Sequence, residues 1–314
     1  MKQAWNLEQE MDAADQFPAT LVTMVVPSTI KRIEPLAAIA VELLNGIPLR
    51  AGDHPSLREA LQREPALRMK ITKVATNSGR YGEPDESTEE SIIERISPAD
   101  LTEIAITISV HDYLRNALTV AEANSYWRYI LACADCCLEL APPAKVDALL
   151  AYAAGLLHDI GRLALIQAYP ERYANLLTLT NSMFIAEQSF DILHYEQMLF
   201  GLNHFATADW LAEVWKLPAW LRPIVGKFDI KASKSDANLV ATVRAGTRLA
   251  HSLGFGYLQA APRGDIGTIL RQLPGAVSYW KALDVWKYGE DHMRSKIGSR
   301  LNWYAILSAP EASS

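Results

Sequence analysis

Apolar positions in this chain recur with the 3.6-residue period of a helix over most of its length past residue 30. After Pro35, the residues Leu36, Ile39, Ala40, Leu43 and Leu44 share one face and Asn45-Gly46 closes the run, which predicts an amphipathic helix with Pro35 in its first turn. Ser56 opens a second helix through Leu57, Ala60 and Leu61, and Pro65 separates it from a third over residues 66–75. Ser97 has the hydroxyl of an N-cap, Pro98 suits a first turn and Asp100 a third position. A helix carrying Leu101, Ile104, Ala105 and Ile108 is therefore predicted to run up to His111-Asp112. From about residue 117 the chain is more apolar, through Trp127 and Cys133 to an interruption at Pro142-Pro143. Val146, Leu149, Leu150, Ala153 and Leu157 then line a helix that reaches His158-Asp159 and is predicted to stop at Gly161. Further on, Ala208, Leu211, Ala212 and Trp215 form another stripe, which Leu217-Pro218 ends. Residues 77–88 read as an acidic, breaker-rich loop, and residues 21–26, closed by Pro27, as an extended segment or short strand. Strand alternation is absent after residue 30, so the expected class is all-α, in two helical lobes meeting near residue 118.

Composition narrows this picture without redirecting it. A chain of 314 residues, 50% apolar and 21% charged, has the make-up of a globular protein with a sizeable core. A net charge of -6 with no basic run argues against nucleic acid as a partner, because phosphate binding needs a concentrated Lys/Arg surface. The first ten residues lack the apolar core of a signal peptide and no membrane span is read, so the expected location is the cytoplasm. Cys133, Cys136 and Cys137 are an odd number crowded into one helix, with no second Cys/His pair to complete a zinc site; burial as small apolar side chains is expected. Trp280, Trp286, Trp303 and Tyr304 near the C-terminus are expected in the core, with a partner surface as the alternative.

The residues Leu156-Leu157-His158-Asp159-Ile160-Gly161-Arg162-Leu163, then Pro170-Glu171-Arg172-Tyr173, Glu196, Phe200-Gly201-Leu202-Asn203-His204, Trp210-Leu211 and Trp215-Lys216-Leu217-Pro218 resemble, in order and spacing, an HDOD domain. The earlier stretches Glu64-Pro65-Ala66-Leu67, Lys73-Val74-Ala75-Thr76-Asn77-Ser78 and Tyr81-Gly82 are similar to the first half of the same family. The resemblance covers roughly residues 18–230 and implies a two-lobed helical HDOD fold whose second half is HD-like. The expected organisation is an extension over residues 1–17, an N-terminal helical lobe over 18–117, an HD-like lobe over 118–230 and a helical continuation over 231–314 packed on that lobe. HDOD domains are bacterial signalling modules, an offshoot of the HD phosphohydrolase superfamily that includes cyclic-di-GMP phosphodiesterases. The resemblance thus implies a regulatory role through contacts with other signalling proteins.

Activity has to be argued from the site. An HD-type hydrolase grips its metal with several imidazoles and carboxylates while leaving room for a water whose pKa the metal lowers. Here Tyr129 stands where catalytic relatives carry their first His, Val225-Gly226-Lys227-Phe228 where they show a His pair, and residues 239–250 contain no carboxylate where they carry a late Asp. His158, Asp159 and His204 remain as vestigial site candidates, too few to hold a catalytic metal. No catalytic residue, cofactor or metal is expected. A structural reading has His158 and Asp159 hydrogen-bonding at the helix end and holding neighbouring helices, and His204 starting a helix. A functional one has the remnant receive a small anionic ligand with the help of Lys227, Arg244 or Arg248. His111-Asp112 lacks the apolar approach and the following Gly, and is read as chance. Two rivals to a non-catalytic regulator are a divergent metal phosphohydrolase acting on a nucleotide or cyclic dinucleotide and a nucleotide sensor without catalysis.

Overall fold

A computed structural model describes residues 25–47, 55–81, 88–225, 234–258, 263–271, 273 and 288–308. Among them every regular element is helical, and the all-α expectation is met. The helices are α1 (Ser28–Lys31), α2 (Ala38–Gly46), α3 (Pro55–Gln62), α4 (Pro65–Asn77), α5 (Glu89–Arg95), α6 (Pro98–Leu114), α7 (Ala121–Ala144), α8 (Ala148–Leu157), α9 (Ile160–Ala168), α10 (Pro170–Ile185), α11 (Ile192–Phe200), α12 (His204–Val214), α13 (Arg222–Val225), α14 (Lys234–Ala250), α15 (Ile266–Arg271) and α16 (Glu290–Ala305). Of the extended segment expected at 21–26, only Val25 and Val26 fall within the described residues, and they form no strand. Residues 82–87 of the polar loop, Trp280, Trp286 and the last six residues also fall outside.

Local chemistry sets most helix starts. Pro65 is the first residue of α4 and Pro98 of α6, where a missing N–H costs nothing. The Ser97 hydroxyl accepts from the Asp100 N–H at 3.1 Å, as its sequence position predicts. Two boundaries at prolines differ from expectation. Pro35 lies outside α2, which begins at Ala38. Pro142 and Pro143 sit inside the last turn of α7 and do not break it; the helix ends at Lys145, whose left-handed backbone lets the Val146 N–H bond back to the Ala141 carbonyl at 3.0 Å.

Two helices form the centre. α6 is buried nearly all round. Its Thr102, Thr107 and Ser109 hydroxyls each donate to the carbonyl four residues back, so these hydroxyls are satisfied without leaving the core. α7 crosses α8 and α14 at close range around one side chain. A Cβ at Gly155 on α8 would stand 2.7 Å from the Cys137 sulfur, and one at Gly246 on α14 only 2.4 Å from it. All three cysteines are buried and free, as expected of small apolar side chains. The run Ala148–Ala168, α8 and α9 together, is long and apolar enough to cross a membrane, contrary to the reading from sequence that no such run exists. However, 78% of its most apolar window is buried inside the fold, and the turn at His158-Asp159 divides it.

The chain's end returns to its beginning. The Asn77 amide on α4 donates to the carbonyls of Asn302 and Trp303 at 2.8 and 3.0 Å, satisfying the open end of α16, and the Arg80 guanidinium lies 5.4 Å from the Trp303 ring centre. Trp303 and Tyr304 are core residues.

Candidate functional site: a filled His-Asp turn

His158 and Asp159 occupy the turn between α8 and α9, and α9 is already under way at Gly161. Gly161 is thus not a helix stop. A Cβ there would meet the His204 carbonyl oxygen at 1.9 Å and the Ala208 nitrogen at 2.8 Å, so the glycine lets α9 and α12 cross backbone against backbone. That crossing brings His204 to the turn.

The His158 Nδ1–H donates to the Gly155 carbonyl at 2.7 Å, and its ring stands edge-on to that of Tyr129, centres 6.2 Å apart. Burial lowers the His158 pKa, with Asp159 opposing. Tyr129 itself is buried. The Asp159 carboxylate accepts a short hydrogen bond from the Tyr126 hydroxyl on α7 and lies 3.2 Å from Nε of Arg162, one turn along α9.

Arg162 is the centre of the arrangement. Its side chain is 2% exposed. One terminal amino group donates to the Tyr257 hydroxyl at 2.6 Å, and the other is 3.2 Å from both ring nitrogens of His204. Its Nε is also 3.9 Å from Glu196, and its carbon stands 6.0 and 5.7 Å from the ring centres of Tyr126 and Tyr257. Glu196, on α11 and fully buried, accepts from His204 Nδ1 at 2.6 Å, from the His204 backbone N–H at 2.9 Å and from the Tyr173 hydroxyl on α10 at 2.5 Å. His204 therefore opens α12, as its sequence position predicts, and is also tied into the His-Asp turn.

Burial alone would raise both carboxyls. Arg162, then His204, His158 and the Tyr126 hydroxyl, reverse this for Asp159; His204, then Arg162 and Tyr173, reverse it for Glu196. Both are held below the ordinary carboxylate range.

The hydrolytic relatives implied by a His-Asp turn work through a divalent metal, and the residues here do not fit one. The guanidinium lies 3.2 Å from Asp159 and from His204, the two strongest ligands among the predicted residues, and a second cation there would meet its charge at close range in a buried site. Of the three residues predicted from sequence, Asp159 and His204 are bridged by Arg162, and His158 lies beside them. Arg244 and Arg248 are on α14, and Lys227 falls outside the described residues. Arg162, Glu196, Tyr126, Tyr173 and Tyr257 are site residues that the sequence reading does not single out as such. The Asp159–Arg162 pair has a signal, since carboxylate and guanidinium three apart share a helix face. His111-Asp112 is a separate feature: Asp112 pairs with Lys70 at 2.5 Å, and His111 is buried edge-on to Trp127.

An all-α chain with an HD-type His-Asp turn is the class that fold and site define. The family model of the HDOD domain matches residues 33–227, and the chain belongs to the HDOD family. Its fold is shared by three crystal structures. An HDOD domain protein of unknown function from Geobacter sulfurreducens has 19% identity and a TM-score of 0.56, covering 96% of this chain and 94% of that one. A protein from Shewanella amazonensis SB2B, provisionally described as a phosphohydrolase, has 18% identity and a TM-score of 0.54, with coverage of 96% and 98%. A Marinobacter aquaeolei VT8 protein, provisionally described as acting in signal transduction, has 15% identity and a TM-score of 0.62, covering 96% of this chain and 67% of that one. No curated protein matches.

Proposed function

We propose that this chain is a non-catalytic HDOD regulator of the bacterial cytoplasm, acting through contacts with other signalling proteins. The observation that carries the reading is that the side chains an HD hydrolase would offer to a metal are engaged within the protein. His158 bonds to Gly155, Asp159 bonds to Tyr126 and forms an ion pair with Arg162, and His204 bonds to Glu196 and Arg162. Tyr129, at the position of a lost imidazole, is a buried phenol whose pKa burial raises still further, so it is no ligand for a divalent ion at neutral pH.

The test is elemental analysis of the purified protein together with hydrolysis assays on bis(p-nitrophenyl) phosphate, mononucleotides and cyclic dinucleotides, with and without Mn²⁺. The expected result is no stoichiometric transition metal and no turnover. Bound metal with turnover that disappears in His158→Ala would overturn the reading in favour of a divergent phosphohydrolase.

A further inference from the structure

We propose that Arg162 is the resident cation of the His-Asp turn: its guanidinium takes the place and charge role of a metal ion and makes the site a permanent clasp. The inference rests on the non-catalytic reading and adds a specific agent to it.

A metal in an HD site gathers acceptors from several helices around one positive charge. The Arg162 guanidinium does the same. It is reached by Asp159 from the α8–α9 turn, Glu196 from α11, His204 from α12 and Tyr257 from the segment after α14, with the Tyr126 ring of α7 alongside. Its planar fork of N–H donors suits acceptors spread over one side of a pocket, where a lysine ammonium, compact and strongly hydrated, would reach fewer. A fully buried carboxylate, Glu196, beside a largely buried one, Asp159, needs an opposite charge, and a side chain three residues from Asp159 supplies one that cannot diffuse away. The tether explains how the turn keeps its His and Asp without a metal: Asp159 binds the arginine and His158 the Gly155 carbonyl. Shortening Arg162 would then leave a vacancy lined by Asp159, Glu196 and His204, of the charge and ligand type that accepts a cation from solution.

The experiment compares thermal unfolding of the full chain with that of Arg162→Ala, each with EDTA, with Mn²⁺ and with low-millimolar guanidinium chloride. The wild-type Tm should be indifferent to all three. Arg162→Ala should unfold roughly 5–10 °C lower and recover part of that loss in guanidinium or Mn²⁺. A destabilised Arg162→Ala that responds to neither cation would overturn the inference while leaving the non-catalytic reading intact; metal-dependent turnover by the wild type would sink that reading instead. Should Arg162→Ala not fold, Arg162→Lys and Arg162→Met separate charge from packing. The lysine variant is expected to melt well above the methionine one, and equal Tm values would count against a cation role.

Discussion

Two buried clusters in this protein have the same charge inventory and opposite behaviour. In the His-Asp turn, Asp159 and Glu196 share Arg162; on the other side of α7, Glu103 of α6 and Asp135 of α7 share Arg300 of α16. The first pair of carboxyls is held below the ordinary range, whereas burial pushes Glu103 up and lifts Asp135 to about 7. The difference is in the groups that stand beside the arginine: His204 acts on both carboxyls of the first cluster, and hydroxyl and backbone donors add to it. Asp159 has the Tyr126 hydroxyl; Glu196 has Tyr173, the His204 ring and a backbone N–H. Glu103 and Asp135 rely chiefly on the one guanidinium, and each has a further carboxylate pushing it up, Asp100 beside Glu103 and Glu103 beside Asp135. One arginine does not compensate two such carboxylates; the histidine and the hydrogen bonds added around them decide whether both stay charged.

The strongest way to break the comparison is to neutralise one carboxyl in each cluster. Asp159→Asn leaves Arg162 under-compensated in a buried site and should cost about 3 kcal/mol at pH 8, as the breaking of a buried pair generally does. Asp135→Asn removes a charge the fold already disfavours and should be neutral or stabilising at the same pH. Urea unfolding of both variants checks this, and equal losses would mean that the two clusters are energetically alike.

The second test uses pH on the wild type. Asp135 has a folded pKa raised to about 7 from 3.8, so its contribution is fully present below the unfolded value and is lost as pH rises through the folded one. Stability should therefore grow by roughly 2–3 kcal/mol between pH 8 and pH 5, since below its folded pKa each tenfold rise in proton concentration adds about 1.4 kcal/mol. Asp159 and Glu196 act with the reverse sign: their contribution is present above their unfolded values and disappears as pH falls through the depressed folded ones. The profile should rise from pH 8 to pH 5 and collapse at stronger acid, and Asp135→Asn should flatten its upper limb alone. A wild-type profile without slope over that range would refute the assignment.

Only part of this contrast is legible in the sequence. Caps and first-turn prolines act over three or four residues, so Ser97, Pro98 and Pro65 can be placed by inspection, and the His-Asp pair carries the family with it. Gly161 reads as a stop because a glycine that ends a helix and one that lets two helices touch look the same; only the His204 carbonyl beside it distinguishes them. Pro142 and Pro143 look like a break because the left-handed turn that ends α7 depends on Lys145, a residue with no special propensity for it. Glu196 and Tyr173 lie on helices that reach Arg162 only through tertiary packing, and nothing in their spacing announces it. The Glu103–Arg300–Asp135 cluster joins residues up to 197 apart in sequence, beyond any local pattern.

The finest test concerns the neutral donors themselves. Tyr173 donates to Glu196 at 2.5 Å, a hydrogen bond to a charged acceptor, whereas Tyr152, near the second cluster, shares its bond with the Thr107 hydroxyl at 2.8 Å. Tyr173→Phe should cost about 1.5 kcal/mol and Tyr152→Phe about 0.5–1 kcal/mol, the usual gap between charged and neutral partners. The sharper readout is the Glu196 titration followed by carboxyl NMR. If neutral donors keep this carboxylate ionised, Tyr173→Phe must move its pKa upward, toward the behaviour of Glu103, while Arg162 stays in place. An unchanged Glu196 pKa would assign its depression to His204 and Arg162 alone, and the two clusters would then differ by the imidazole and not by the tyrosines.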